Sequence, residues 1–482
     1  KGMKIGINAT CFNNRPSGAK QRFIGIYSKL FPRMKNDSFI VYEPVDCSVR
    51  EWFGGYDNVS YVKTQLHSER KYQKYIRGLF YWSKIYKAEQ FDIFETFNLP
   101  LIRGRSELAL LTIHDIRGVH LQSMWIKRMF HNMVLKSSLK RADHVITVSN
   151  YMKNEISNHF PNVPISVIYN GINVKEVCSA TDTEISGVIS KYKLPSEFIL
   201  AVGHFEARKN YSSLIKALEI LHASDSKINF VIVGNDSGEM NSIIKMSESL
   251  GLKNYVKILS GITDIELKII YKKAKLFVFP SSYEGFGIPV LEAMNAKIPL
   301  VLSNIPVFRE IAGDQCPLYF NYSDSKSIAN NISNLINSSA NERQEMINQG
   351  KKIVEDFDFD IIAESLENLY SVTKSIKDPI NTKYQEFEKL EAYDITVIIP
   401  YHNEEQSLDK TVTIISQQTN LPKEVIFVNS SSTDGGSAFL NKWIEQHQGQ
   451  NGVHYRNIFE YTDTPSSSKN VGIRLAKTEW VA

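Results

Sequence analysis

Short apolar runs alternate with longer mixed segments along most of the chain. "KIGINAT" (Lys4–Thr10), "LALLTIHD" (Leu108–Asp115), "HVITVS" (His144–Ser149) and "ISVIYNG" (Ile165–Gly171) are four such runs. "FILAVG" (Phe198–Gly203), "NFVIVG" (Asn229–Gly234), "VKILSG" (Val256–Gly261) and "LFVFPS" (Leu276–Ser281) are four more. They are rich in β-branched and aromatic residues and end in Gly, Ser, Thr or Asp, which predicts strands. Several lack polar alternation, so both faces are expected to be buried, as in parallel strands covered by helices. Repeated βα units of this kind predict an α/β protein with two doubly wound, Rossmann-like domains. The expected boundaries are residues 3–175 and 176–373. Ligands of such folds sit beyond the carboxyl ends of strands. That rule selects His114, Asn170, Gly203, Gly234, Gly261 and Ser281.

The pattern breaks over 374–393, a charged stretch read as a linker. Alternation resumes with "ITVIIPYHNEEQSL" and runs through 394–482. The final "KTEWVA" reads as a strand entered and cut, so this third α/β piece is expected to be partial.

Composition narrows the class. The 482 residues are 43% hydrophobic and 22% charged, the balance of a folded globular protein. Lys plus Arg is 56 and Asp plus Glu is 52, a net charge of +4, so nucleic acid is not an expected partner. No apolar run approaches the roughly 20 residues of a membrane-spanning helix. Cys11, Cys47, Cys178 and Cys316 are scattered without metal-ligand spacing. With no signal peptide in view, a reduced cytoplasmic location is expected.

Two segments carry candidate chemistry. In "VGHFEARKNYSSLIKAL", Arg208 and Lys209 follow a strand and precede a helix. Arg forks onto phosphate oxygens and Lys adds a compact charge, although most Arg-Lys pairs are solvated loop residues. "SSYEGFGIPVLEAM" places Glu284 and Glu292 on either side of "GFGIPV". Pro289 suits a first helical turn, and Gly285 and Gly287 would let backbone approach a ligand. The amides near Gly287, Ile288 and Val290 would face an anion from a helix N-terminus, with Glu292 in the first turn. A pyrophosphate between a sugar and a ribose satisfies the whole set. A glycosidase carboxylate pair is the alternative, but that chemistry needs no phosphate cradle.

Beyond these, "SGAKQRFIGIYSKL", "LTIHD", "ADHVITVSNYMKNEI", "VIYNGIN", "VGHFEARKN", "YEGFGIPVLEAM" and "SNIPVFREIAG" occur in order along the first two domains. This part resembles a family 4 glycosyltransferase of the GT-B fold, a retaining enzyme that uses nucleotide sugars. The resemblance implies that Arg208 and Lys209 contact the donor diphosphate, Glu284 the donor hexose and Glu292 the ribose. It places Gly18 in a loop near donor and acceptor, and His114 near the transferred sugar. Gly261, Gly285, Phe286, Gly287, Ile288 and Val290 complete the implied donor site. The catalytic set is then His114, Arg208, Lys209 and Glu284, and no metal or other cofactor is expected.

The tail, "DITVIIPYHNEEQSLDKTVTIISQQTNLPKEVIFVNSSSTDGG" and "SSSKNVGIRLAKTEWVA", resembles the first half of a family 2 glycosyltransferase of the GT-A fold. That family usually has two aspartates where Asn429 and Ser430 stand and a glycine where Ser431 stands. A truncated and inactive GT-A-like module is therefore expected.

The function implied is transfer of a hexose, with mannose from GDP-mannose as first choice, onto a growing bacterial surface polysaccharide such as O-antigen or capsule. The alternatives are a non-catalytic scaffold for glycan assembly and a GT-B nucleotide-sugar epimerase. A lipid-linked or oligosaccharide acceptor and other glycan-assembly proteins are the expected partners. Basic and aromatic residues mix in Ser68–Lys87 and Met124–Arg141. These read either as amphipathic helices packed inward or as a face toward the inner-membrane surface.

Overall fold

The computed structural model describes residues 2–481 except 70–77, 79, 86–87, 98, 100, 102–107, 118–124, 161–162, 175–179, 225–226, 378–392, 417–420, 431, 450–451, 461–470, 474 and 479. The chain forms two compact units, Lys1–Pro379 and Ile380–Ala482. The expected linker lies mostly outside the described residues.

The first unit holds two parallel sheets. The amino-terminal sheet has β1 (Lys4–Asn8), β2 (Ser38–Glu43), β3 (Val59–Lys63), β4 (Ile93–Thr96), β5 (Leu108–Ile113), β6 (His144–Thr147) and β7 (Ile165–Val167). Their order is β3-β2-β1-β4-β5-β6-β7. The second sheet has β8 (Ile199–Val202), β9 (Phe230–Val233), β10 (Val256–Leu259), β11 (Leu276–Phe279), β12 (Leu300–Ser303) and β13 (Leu318–Phe320). Its order, β10-β9-β8-β11-β12-β13, repeats the same winding. All eight strands expected from apolar runs are present, each ending one to four residues earlier than its run. After β7 the chain runs on to Ile172, which bridges Asp358; after each of the others a helix follows. Strand positions such as 108–113 and 276–279 are buried throughout, as sheets covered on both faces require.

The order of each sheet reverses between its first and fourth strands. Crevices of doubly wound sheets open at such switch points. The first crevice lies beyond β1 and β4, the second beyond β8 and β11.

The chain crosses back before the unit ends. Ile172 N–H donates to Phe357 O at 2.9 Å and Phe359 N–H to Ile172 O at 3.1 Å. The helix Phe359–Lys377 then packs on the helix Gly18–Arg33, with Phe359, Ile362, Ala363, Leu366 and Tyr370 in the amino-terminal core. Phe359 seats over Gly25, where an added Cβ would lie 2.1 Å from its ring. Among the described residues no helix is long and apolar enough to cross a membrane.

The second unit is a four-stranded parallel sheet, β16-β15-β14-β17, made of β14 (Tyr393–Tyr401), β15 (Pro422–Ser430), β16 (His454–Glu460) and β17 (Trp480–Val481). Asn429, where the resemblance expects an aspartate, is 2% exposed and its Oδ1 accepts from Ser432 N–H at 2.8 Å. It shapes the turn after β15. Ser431 lies outside the described residues.

Gly25→Ala should destabilise the first unit by about 1–3 kcal/mol, the usual cost of overpacking a filled core. Urea denaturation checks this; an unchanged midpoint would mean that Phe359 is not seated there.

Candidate active site

The turn after β8 is a short 3-10 helix, Ala207–Lys209, followed by Asn210 with φ +56°. The Asn210 amide group donates to Pro280 O at 3.2 Å and Tyr322 O at 2.8 Å. Ser282 N–H donates to Arg208 O at 2.8 Å. These bonds stitch the turn after β8 to the loop after β11, across the switch point. Arg208, Lys209 and Glu284 are brought together as a result.

Glu284 lies between two cations. Lys209 Nζ is 2.6 Å from its Oε1, and an Arg208 terminal nitrogen is 2.6 Å from its Oε2. Arg208 also donates to Tyr283 O at 3.1 Å and through Nε to Glu206 Oε2 at 2.7 Å. The side chains of Lys209, Glu284 and Arg208 are 7%, 10% and 13% exposed, so these charges meet in a partly dry site. Burial opposes ionisation of Glu284, but Lys209 and Arg208 outweigh it and hold the carboxyl down at about 2. Burial lowers the Lys209 ammonium from its ordinary value, with Glu284 opposing the shift. Burial likewise disfavours the Arg208 charge, but Glu284 and Glu206 raise its proton affinity above the ordinary value. The Lys209 ammonium also sits 4.5 Å from the Phe279 ring centre. Gly203, expected at a ligand, instead leaves room for the Lys209 stem, which a Cβ would meet at 2.9 Å. Gly234 packs its own backbone against Gly203 O.

The helix Ile288–Asn295 begins after Gly287, whose φ is +119°. Three expectations are corrected here. Glu292 is the fifth residue of this helix and so belongs to its second turn, because the helix starts only at Ile288. The Val290 amide is occupied: it donates to Gly287 O at 2.9 Å. Pro289 has no N–H, so only the Gly287 and Ile288 amides remain for an anion, neither being used by a hydrogen bond among the described residues. The Phe286 side chain is core, 3% exposed and packed between Tyr169 and Phe357. Val290 is likewise fully buried.

Both glycines also meet needs of the fold. A Cβ on Gly285 would lie 2.2 Å from His114 O, and one on Gly287 would lie 2.8 Å from the Phe308 ring. Gly285 O also accepts from Ser149 Oγ at 2.7 Å. Close approach of the two domains, rather than of a ligand, sets the need for glycine at 285.

Glu292 faces the other side of the helix start. Its carboxylate accepts from Tyr271 OH at 2.9 Å and from the Gln21 amide at 3.2 Å. Burial raises its proton affinity, and the Gln21 and Tyr271 hydrogen bonds oppose the rise. Gly18 opens the Gly18–Arg33 helix, capped by Ser17, and a Cβ there would lie 3.1 Å from Ile288 Cδ1. The N-termini of two helices therefore meet across the cleft. Gly261 is exposed with φ +66°, and its N–H donates to Asn235 Oδ1 at 3.2 Å.

On the amino-terminal side, His114 follows β5. Its Nε2 is buried without a hydrogen-bond partner, and so are Arg22 Nε, Thr96 Oγ1 and Asn170 Oδ1. Thr96 and His114 stand at the ends of the adjacent strands β4 and β5. Buried polar atoms left unpaired are uncommon and mark a place for water or ligand. A cavity of about 390 Å³, lined among others by Phe12, Asn13, Arg15 and Phe97, opens at the β1/β4 switch point. A larger surface hollow of about 610 Å³ lies by Lys216, Met246 and Lys326 and contains none of the expected site residues.

Two sheets wound alike, with a cation–carboxylate cluster at the second switch point and a helix start facing the first domain, define a GT-B glycosyltransferase. Comparison with known proteins agrees. The "Glycosyltransferase Family 4" description matches residues 32–176, "Glycosyl transferases group 1" matches 184–353 and "Glycosyl transferase family 2" matches 396–482. The O-antigen chain mannosyltransferase RfbU of Salmonella typhimurium is 33% identical over 278 residues, covering 57% of this chain and 72% of its own. The O-antigen chain mannosyltransferase B of Escherichia coli is 31% identical over 228 residues, covering 45% of this chain and 58% of its own. The crystal structure of Anabaena Alr3699/HepE in complex with UDP and glucose shares the fold, with a TM-score of 0.60 at 17% identity, covering 77% of this chain and 99% of its own. The chain belongs to the group 1 and family 4 glycosyltransferases and carries part of a family 2 glycosyltransferase domain after them.

Arg22, Glu206, Arg117, which pairs with Glu206, and Glu310, which accepts from the Asn150 and Tyr151 N–H groups, have no local sequence pattern that marks them.

The His114 ring should stay neutral in the free protein well below its ordinary range. Burial disfavours the charged ring and the Arg22 guanidinium adds to this, so protonation waits until about pH 3. Ring-nitrogen NMR shifts of labelled protein check this; an imidazolium signal at pH 6 would contradict it.

Proposed function

We propose that the first unit transfers mannose from GDP-mannose, with retention, onto a growing bacterial surface polysaccharide, O-antigen or capsule. The observation that carries this reading is the Glu284 carboxylate held by Lys209 and Arg208 at the β8/β11 switch point. The two relatives above, both named O-antigen chain mannosyltransferases, support the sugar and the product class.

In this reading the donor diphosphate lies over Arg208, Lys209 and the Gly287 and Ile288 amides. These groups stabilise the negative charge that develops as the bond from the sugar C1 to the phosphate oxygen breaks. The acceptor hydroxyl enters on the same face and forms the new C1–O bond, and its proton passes to the leaving phosphate. Glu284 orients the hexose, Glu292 the ribose, and neutral His114 offers a hydrogen bond to the transferred sugar. The cavity beside Phe12 and Phe97 is suited to the acceptor. No metal is assigned a role, because the cation pair and the helix amides supply the charge.

The acceptor is read as lipid-linked or as an oligosaccharide, at the cytoplasmic side of the inner membrane. The helix Trp125–Arg141 supports a peripheral contact. Met129 and Met133 are each 60% exposed, and Lys136 and Lys140 follow on the same helical face. Most of 68–87 lies outside the described residues.

The deciding experiment is transfer of labelled mannose from GDP-mannose to a lipid-linked oligosaccharide in the presence of EDTA. Transfer is expected to persist and the new bond to keep the donor's anomeric configuration. Loss with EDTA and recovery with Mg²⁺ or Mn²⁺ would overturn the metal-free mechanism, and an inverted product would overturn retention.

The two glutamates should separate in calorimetry and kinetics. Glu292→Gln is expected to weaken GDP binding by about tenfold, as loss of a charge-assisted hydrogen bond does. Glu284→Gln should lower turnover by at least about a hundredfold through loss of hexose orientation. Weaker GDP binding in Glu284→Gln alone would reverse the assignment.

A further inference from the structure

The buried part of the clamp is already balanced in charge. Lys209 and Arg208 face Glu284 and Glu206, and all four side chains are at most one quarter exposed. A donor diphosphate brings further negative charge, and more develops as the sugar leaves. An additional cation beside this cluster comes from the other domain. Arg117, in the loop after β5, places a terminal nitrogen 3.2 Å from Glu206 Oε2, the same oxygen that accepts from Arg208 Nε at 2.7 Å. Two guanidiniums of different domains thus share one carboxylate oxygen. Arg117 is oriented by Asp115, whose Oδ1 accepts from the Arg117 backbone N–H at 3.2 Å and lies 3.4 Å from its Nε. Arg117 is also the open member of the set, 47% exposed against 13% for Arg208. It has the solvent-facing donors that the buried pair lacks, and a planar fork suited to two phosphate oxygens.

We propose that Arg117 is a donor-contacting residue, the third cation of a diphosphate clamp assembled from both domains. The inference rests on the clamp reading above. Glu206 brings Arg117 and Arg208 together, so the complete clamp exists only when the cleft is closed. A half-formed clamp in an open cleft would bind the diphosphate less tightly.

The test is calorimetry of GDP with the full chain. Arg117→Met is expected to weaken GDP about tenfold, and Arg117→Lys to recover part of that loss. The same loss should appear in a Glu206→Gln background. If the loss vanishes there, Arg117 acts only by holding Glu206 and the inference falls. Unchanged affinity in Arg117→Met beside a collapse in Arg208→Ala overturns the inference alone. Unchanged affinity in both overturns the clamp itself.

Discussion

The Glu284 carboxylate between Lys209 and Arg208 is the contact on which the site depends. Three side chains from two strand ends carry charge where water is scarce, and each is tolerable only because the others are there. Removing one member of such a cluster leaves an uncompensated charge, which typically costs about 3–5 kcal/mol. The backbone is arranged to prevent that. Asn210 and Ser282 tie the turn after β8 to the loop after β11, and Gly203 leaves room for the lysine stem. The ions are therefore held by the sheet winding and not by their own attraction alone. In the proposed transfer the same preorganisation would suit catalysis, since fixed charges need not reorganise when a diphosphate departs.

Much of this arrangement is legible in the chain itself, and the exceptions have physical causes. Buried parallel strands read as continuous apolar runs, so β5, β8, β9 and β11 are visible. β4 is not, because "IFET" carries a glutamate: Glu95 is fully buried and is satisfied by Thr112, Tyr27 and Tyr370, partners far away in sequence. β3 is an edge strand with exposed Ser60 and Lys63, so its apolar signal is diluted. Arg208, Lys209, Glu284 and Glu292 stand out through spacing and through their places after strands. The use of each amide near Gly287 depends on where the helix begins, and Pro289 permits a start at several residues. The demand for glycine at 285 comes from His114 O in another domain, which no local pattern reveals.

The second unit shows how a fold outlasts one of its signatures. Asn429 stands in place of an expected aspartate yet is buried and bonded within its own turn. Asn403 Oδ1 accepts from Thr433 N–H at 2.8 Å, and Asp434 Oδ2 from Glu405 N–H at 2.8 Å. Two loops at the carboxyl ends of β14 and β15 are thereby laced together by neutral and charged partners alike. A neutral amide can fill the hydrogen-bonding place of a carboxylate in such a turn, but it carries no charge at the strand's carboxyl end.

How the two domains of the first unit are joined follows from the kinds of contact on each side of the cleft. Near the crossover the contacts are apolar and tight: Phe357 meets Tyr169 and Phe286, and Phe359 fills the space over Gly25. At the cleft most are polar, beside the Tyr283 ring packed on Tyr151. The Glu310 carboxylate accepts from the Asn150 and Tyr151 amides at 2.6 and 2.8 Å, capping the start of a helix in the other domain. Gln21 reaches Glu292, Ser149 reaches Gly285 O and Arg117 reaches Glu206. Water can replace the more exposed of these partners, such as Arg117 at Glu206, at little net cost, since exposed polar pairs contribute only about 0–1 kcal/mol. It cannot replace the aromatic packing. The contacts near the crossover are therefore the costlier to open and the exposed polar ones at the cleft the cheaper, an asymmetry that suits a cleft admitting and releasing a charged ligand.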